Sequence, residues 1–290
     1  RRFIIKKQKT PDCECHLRLL KLGYNFDNVE FTTSDYDVYG TQFDPKIVKS
    51  FATVKPLECI IFENVPLFKA LLWEFKIKSE NLVFPDQVNE MSEYCLDGSS
   101  LHSVHILNMK VVEKGAFENC KYLSQVVLPS NLEVIKKLAF SNCVTLKEVV
   151  IPKSVTEIGE GAFEKCVSLT KVLCDNEAVK YGTKCFAHCV SLKDVPVISN
   201  VGNAIFFACK SLEKVTLSCK CTAISVFAFF KCNALSSIEV PHSVTKIGAF
   251  AFRKCASLRH VDIPESVLSV ENGAFYDCKA LESVICHNTL

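Results

Sequence analysis

GEGAFEKCVSL, residues 159–169, carries a cysteine three residues after a phenylalanine and three before a leucine. Alone, Cys166 could be a nucleophile, a metal ligand or half of a disulfide. Its relation to other cysteines decides how it is read. Cys120, Cys143, Cys166, Cys189, Cys209, Cys232, Cys255 and Cys278 follow one another at steps of 23, 23, 23, 20, 23, 23 and 23 residues. Each has Phe three residues before it, from Phe117 to Phe275, and Leu three residues after it, from Leu123 to Leu281. Six residues after each cysteine stands Val or Ile, and eight after stands another apolar residue or Cys. Such a register-locked repeat sets the architecture before any local propensity is considered.

Within one unit, the V-x-I piece alternates with period two and reads as a short strand with one face buried. Pro129, Pro152, Pro241 and Pro264 end it in four of the units. A second apolar pair follows, as in SVTEIG (154–159) and SVTKIG (243–248), and Gly159 and Gly248 mark a turn. The GAF or FAF segment next to it is expected to be a short helical turn on the other side of the unit. A unit of this size cannot bury its apolar face alone, so stacked units share one core and their strands join into one parallel sheet. The fold class is therefore an α/β repeat protein, a right-handed solenoid with a parallel β-sheet along one face and short helical or 3-10 turns on the other.

The 20-residue unit between Cys189 and Cys209 is expected to keep its strand at Val195 and Val197 and to lose residues in the turn near ISNVGN (198–203). That predicts a change of curvature and not a break. Upstream the repeat degrades. FPDQVNEMSEYCLDGSSLHSVHI (84–106) echoes residues 151–174, with Leu96 in place of the Phe and no Cys at the cysteine position. FATVKPLECIIF (51–62) is a fainter echo, and 63–83 reads as an irregular segment. The expected organisation is a cap or the end of an upstream region at 1–40 and a solenoid at 41–290, with degenerate units at 41–97 and regular ones at 98–287.

The pattern IPxSVTxIGxxAFxxCxSLxxV, nearly complete at 151–172 and 240–261, resembles the BspA-like leucine-rich repeat family of bacteria and protozoa. The segment YNFDNVEFTTSDYDVYG (24–40) also looks like the lead-in to the repeats in amoebal members. The resemblance implies a leucine-rich repeat solenoid. It further implies a binding or adhesion role, often at cell surfaces, and no catalytic residue.

Each chemical reading competes with a structural one. Parallel, in-register side chains about 4.8 Å apart converge poorly for disulfides, so the repeat cysteines are expected to be buried core thiols. Cys174 and Cys286, at inward strand positions, take the same reading, as do Cys95 and Cys185 next to the Phe position. Cys13, Cys15 and His16 lack the C-x-x-C spacing of a zinc knuckle and have no matching second pair, so no metal site is expected. Cys219 and Cys221 follow a strand, and a bridge between them would be strained. The seven histidines are scattered, and there is no G-x-S-x-G motif or glycine-rich phosphate loop. No catalytic residue and no cofactor are expected.

With 34 Lys and Arg against 32 Asp and Glu, the chain has no global field for a nucleic acid. It has no apolar run long enough to span a membrane. The opening RRFIIKKQKT is no signal peptide as it stands, and a trimmed fragment is the expectation, so the compartment is left open. The closing ESVICHNTL places a strand at the end, which predicts either continuation past Leu290 or self-association through an open sheet edge.

Function is then expected on the outward strand positions. Seven residues after successive cysteines stand Val127, Val150, Leu173 and Pro196, then Thr216, Glu239, Asp262 and Ile285. Five after stand Gln125, Glu148, Lys171 and Asp194. Val127, Val150 and Leu173, flanked by Gln125, Glu148 and Lys171, form the candidate face for a protein partner. The leading expectation is a non-catalytic protein-binding scaffold, with cell-surface adhesion implied by the resemblance. An intracellular adaptor is the alternative.

Overall fold

The computed structural model describes residues 81–84, 89–91 and 93–287. The cap read at 1–40, the faint unit at 51–62 and the group Cys13, Cys15 and His16 lie outside the described residues. Within them the chain stacks as a solenoid. Its backbone hydrogen bonds run between units in three columns.

The first column holds the expected strands. These are β1 (Asn81–Phe84), β2 (Ser103–Ile106), β4 (Gln125–Val127), β6 (Glu148–Ile151), β8 (Lys171–Cys174), β11 (Ser237–Glu239), β13 (His260–Ile263) and β15 (Ser283–Cys286). All pairs are parallel and in equivalent register, as in Glu148↔Lys171 and Val261↔Val284. Strand β1 lies at the end of the segment read as irregular (63–83) and runs into the degenerate repeat at Phe84, yet it pairs Asn81↔Ser103 and belongs to the ladder.

The second column was not expected as a sheet. The apolar pair of SVTEIG and its equivalents forms two-residue strands: β3 (Val111–Val112), β5 (Val134–Ile135), β7 (Glu157–Ile158), β9 (Lys180–Tyr181), β10 (Ala223–Ile224), β12 (Lys246–Ile247) and β14 (Ser269–Val270). They too pair in parallel, in the orders β3-β5-β7-β9 and β10-β12-β14. The core is thus walled by two sheet columns, not one.

The third column corrects the expected helical or 3-10 turns. Among the described residues no helix is present, and the GAFEKC segment is a chain of turns. The amides of Gly161, Phe163 and Lys165 donate forward to the next unit, to Thr183, Cys185 and Ala187 carbonyls at 2.9, 2.9 and 2.8 Å. The alternate amides of Ala162, Glu164 and Cys166 donate back to Gly159, Gly161 and Phe163 within the unit. A helix would direct every amide inward along its own axis. The alternation is enforced by two left-handed residues per unit, such as Gly161 (φ 60) and Lys165 (φ 61). For a non-glycine residue that conformation costs about 1–2 kcal/mol, offset here by the inter-unit bonds. Gly115 and Gly273 hold it without a Cβ, and their bare surfaces are covered by the rings of Tyr94 and Phe250 from the preceding unit.

The repeated side chains fill the space between the columns. Phe117, Phe140, Phe163, Phe186, Phe206, Phe229 and Phe252 are fully buried. With Phe275 they form one stack, with centroids 5.1–5.7 Å apart and rings within 19° of parallel. Phe84 closes the start edge-on at 6.4 Å. Beside this stack runs a column of thiols. Cys166 Sγ donates to the Phe140 carbonyl at 3.2 Å, and Cys143, Cys189, Cys209, Cys232, Cys255 and Cys278 each reach the Phe carbonyl one unit back at 3.0–3.2 Å. Cys120 meets Leu96 in the same way at 3.1 Å. Ser99, at the cysteine position one unit earlier, lies 3.2 Å from Cys120 Sγ. Cysteine suits this site because it is small, apolar enough to bury and still able to occupy a lone pair of a buried carbonyl.

The 20-residue unit departs from expectation. Asp194 bridges Lys171 and Ile198 bridges Leu217, with no continuous strand between. Pro196 supplies no amide to a ladder at the centre of the column. Ile198 takes the fully buried inward place that the spacing assigned to Val197. The stack passes through regardless, with Phe186–Phe206 at 5.7 Å and Phe186 N to Ile205 O at 3.0 Å.

Candidate functional site

The outward face of the first sheet column follows from the period-two alternation. In β6, Val149 and Ile151 are buried while Glu148 and Val150 face out. In β8, Val172 is buried and Leu173 faces out. In β4, Gln125 and Val127 are exposed and Val126 is half-buried. Val127, Val150 and Leu173 are 50%, 55% and 38% exposed.

Register brings the predicted residues together. Val150 and Leu173 are direct cross-strand partners, and so are Glu148 and Lys171. Val127 is the partner of His105 on β2. The result is two outward pairs, His105 with Val127 on β2 and β4 and Val150 with Leu173 on β6 and β8, the latter beside a polar row that alternates in charge through Glu148, Lys171 and Asp194. The irregular backbone at Pro196 ends this series, so the fourth position assigned to it is half-buried and not part of a continuous outward row. Such a face offers apolar contact area with charges to fix orientation, which is recognition chemistry and not acid–base chemistry.

The far end of the same column differs in character. Glu239 and Asp262 are cross-strand partners, and Asp262 is in turn opposite Ile285. His287 Nε2 lies 2.7 Å from Asp262 Oδ1, and His260 Nδ1 lies 3.0 Å from Ser283 Oγ. The spacing places Glu239, Asp262 and Ile285 at one outward position, and the register adds the His287 and Ser283 contacts beside them. Among the described residues no three His, Cys, Asp or Glu side chains gather as a metal site.

Burial pushes the Cys120 thiol up to about 11 and the Cys166 thiol up to about 12. It also lifts Cys143, Cys185, Cys189 and Cys232 well above the ordinary thiol range. The eight repeat cysteines and Cys174, Cys185, Cys219, Cys221 and Cys286 are free thiols. Three readings change: Cys174 and the repeat cysteine Cys278 are only half-buried, and Cys286 is exposed because no described unit stacks on β15. Cys219 is exposed while Cys221 is buried, with its Sγ 3.4 Å from the Ala223 carbonyl.

A second surface feature went unread in the sequence. Beside the buried stack, the turn column of the later units carries Phe207, Phe227, Phe230, Phe250 and Tyr276 around Arg253. The available signal was doubled phenylalanine next to the repeat position, in IFFAC, FAFFKC and FAFRKC.

A family model described as the BspA type leucine-rich repeat region (6 copies) matches residues 49–170, 110–203 and 199–290. Among solved structures, a leucine-rich repeat protein from Bacteroides ovatus is similar at 28% identity and a TM-score of 0.60, covering 71% of this chain. The chain spans 61% of that protein's length. A leucine-rich repeat protein from T. pallidum is similar at 27% identity and a TM-score of 0.51, covering 55% of this chain and 78% of that one. No curated protein sequence matches.

Proposed function

Because the chain belongs to the BspA type leucine-rich repeat family, we propose that it is a non-catalytic protein-binding scaffold that docks its partner on the outward face of β4, β6 and β8. The single observation that carries this reading is the exposure of Val127, Val150 and Leu173 at equivalent outward positions of β4, β6 and β8, with Val150 paired to Leu173 and Glu148 to Lys171. A surface of this kind gains affinity by burying apolar area and gains selectivity from the neighbouring charges. A cell-surface recognition or adhesion role is the fuller form of the proposal. No helix among the described residues is long and apolar enough to cross a membrane. An intracellular adaptor is the second reading, favoured by the exposed free thiols of Cys219 and Cys286, which persist most readily in a reducing compartment.

The test replaces Val127, Val150 and Leu173 together by Ser. Exposed substitutions of this type shift stability by about 0.5 kcal/mol or less each, so the melting temperature should hold. Loss of roughly 1 kcal/mol of apolar burial per residue should weaken a partner retained by the immobilised wild-type protein about 100-fold. Equal retention by the triple variant would remove these positions from the function.

A further inference from the structure

The turn column of the later units carries half-buried rings at Phe207, Phe227, Phe230 and Phe250 and an exposed one at Tyr276. Phe207 stacks on Phe230 at 4.7 Å, and Phe227 stacks on Phe250 at 5.3 Å. Phe227 meets Phe230 edge-on at 5.6 Å. The Arg253 guanidinium lies 5.7, 5.3 and 5.0 Å from the centroids of Phe230, Phe250 and Tyr276, and the Lys231 ammonium lies 5.4 Å from that of Phe230.

These rings are not needed to close the core. The fully buried stack is made by Phe206, Phe229 and Phe252, and none of the outer rings belongs to it. Phe227 and Phe250 sit at φ 57, at a left-handed position held by Gly115, Gly161 and Gly273 in some units and by Tyr94, Leu138 and Lys184 in others. Arg253 Nε is buried with no hydrogen-bond partner. Among the described residues Lys231, Arg253 and Lys254 form no ion pair, whereas Lys110, Lys136, Lys137 and Lys246 each have a Glu from a neighbouring unit. The equivalent turn positions in earlier units are mixed in charge, with Glu118, Asn119, Ser141, Asn142, Glu164 and Lys165.

We propose that Phe207, Phe227, Phe230, Phe250, Arg253 and Tyr276 form a second docking surface, which takes an acidic protein segment carrying aromatic side chains. Aromatic side chains of the segment stack on the ring platform, and its carboxylates meet Arg253, Lys231 and Lys254. Charge complementarity selects the acidic class. The near-neutral chain, with 34 Lys and Arg against 32 Asp and Glu, has no wider field to attract a phosphate backbone. The surface is separate from the sheet-face positions, so the two sites can fail independently.

The probe is a fluorescein-labelled peptide of repeated Asp-Glu-Phe-Ser, followed by anisotropy on the whole chain. Controls replace its Phe by Ala, or its acids by Lys, and an oligouridylate serves as the nucleic-acid control. Saturable binding is expected, weakened about tenfold or more in either peptide control and by raised salt. Arg253→Glu, Lys254→Glu and Phe230→Ser should each reduce it at least about tenfold, and Val150→Ser should leave it unchanged. Lys254→Glu keeps the test valid if Phe230→Ser fails to fold, since it removes charge without touching the ring platform. Absence of saturable binding, undiminished binding by Arg253→Glu and Lys254→Glu, or tighter binding of the oligouridylate would each overturn the proposal.

Discussion

Phe163→Ala is expected to destabilise the protein by about 4 kcal/mol. The ring is fully buried. It lies between Phe140 at 5.3 Å and Phe186 at 5.7 Å, within 11° of parallel to both. Its removal takes away apolar burial, leaves a cavity that backbone bonded on both sides cannot collapse to fill, and breaks two stacking contacts at once. Because each unit touches only its neighbours, the damage should also uncouple the units before it from those after it. The urea transition should then broaden as well as shift. Phe275, half-buried at the end of the stack with Phe252 as its one stacking neighbour, should lose less than half as much on the same substitution. Equal costs at the two positions would mean that the stack does not carry the core.

The second large effect is alkaline. In the folded state the thiols of Cys120, Cys143, Cys166, Cys185, Cys189, Cys209 and Cys232 are raised by burial above the ordinary value of 9.0. In the unfolded chain they ionise near that value. Above it the unfolded state therefore holds fewer protons than the folded one, and stability falls as pH rises. The contribution is fully present below about pH 9 and declines by up to about 1.4 kcal/mol per thiol per pH unit above it. For these seven groups the loss by pH 10 is on the order of 10 kcal/mol, comparable to the whole stability of a typical domain. Urea midpoints should stay level from pH 7 to about 8.5 and then drop steeply. Replacing Cys143, Cys166 and Cys189 by Ala should flatten that slope. Undiminished stability at pH 10 would show that the thiols are not buried as described.

What the sequence made legible was whatever repeats in register. The Phe–Cys–Leu spacing placed the buried stack, the thiol column and the outward residues Val127, Val150 and Leu173, because a fixed step forces equivalent residues onto equivalent positions. The second sheet column escaped notice because pairs such as Glu157–Ile158 are too short to show a period. The turn column was misread as helical because Phe and Ala suit a helix. Glycine at 115, 161 and 273, with asparagine at 119 and 142, already hinted at left-handed backbone. At Pro196 the count from the cysteine held while the chemistry of proline overrode it. Cys286 shows the remaining limit: its position in the unit is an inward one, yet burial depends on a unit stacking over it. The aromatic surface around Arg253 is a departure from the repeat, and a search for regularity passes over departures.

The central claim is that the recurrent cysteine is a packing residue that hydrogen-bonds the unit before it. Alkylation of the native protein, mapped by mass spectrometry residue by residue, tests this most directly. Cys219 and Cys286 should react promptly in the folded protein. Cys120, Cys143, Cys166, Cys189, Cys209, Cys232 and Cys255 should react only after denaturation, and should do so without prior reduction. Rapid native labelling at Cys166, or a requirement for reductant before it labels in denaturant, would contradict the account.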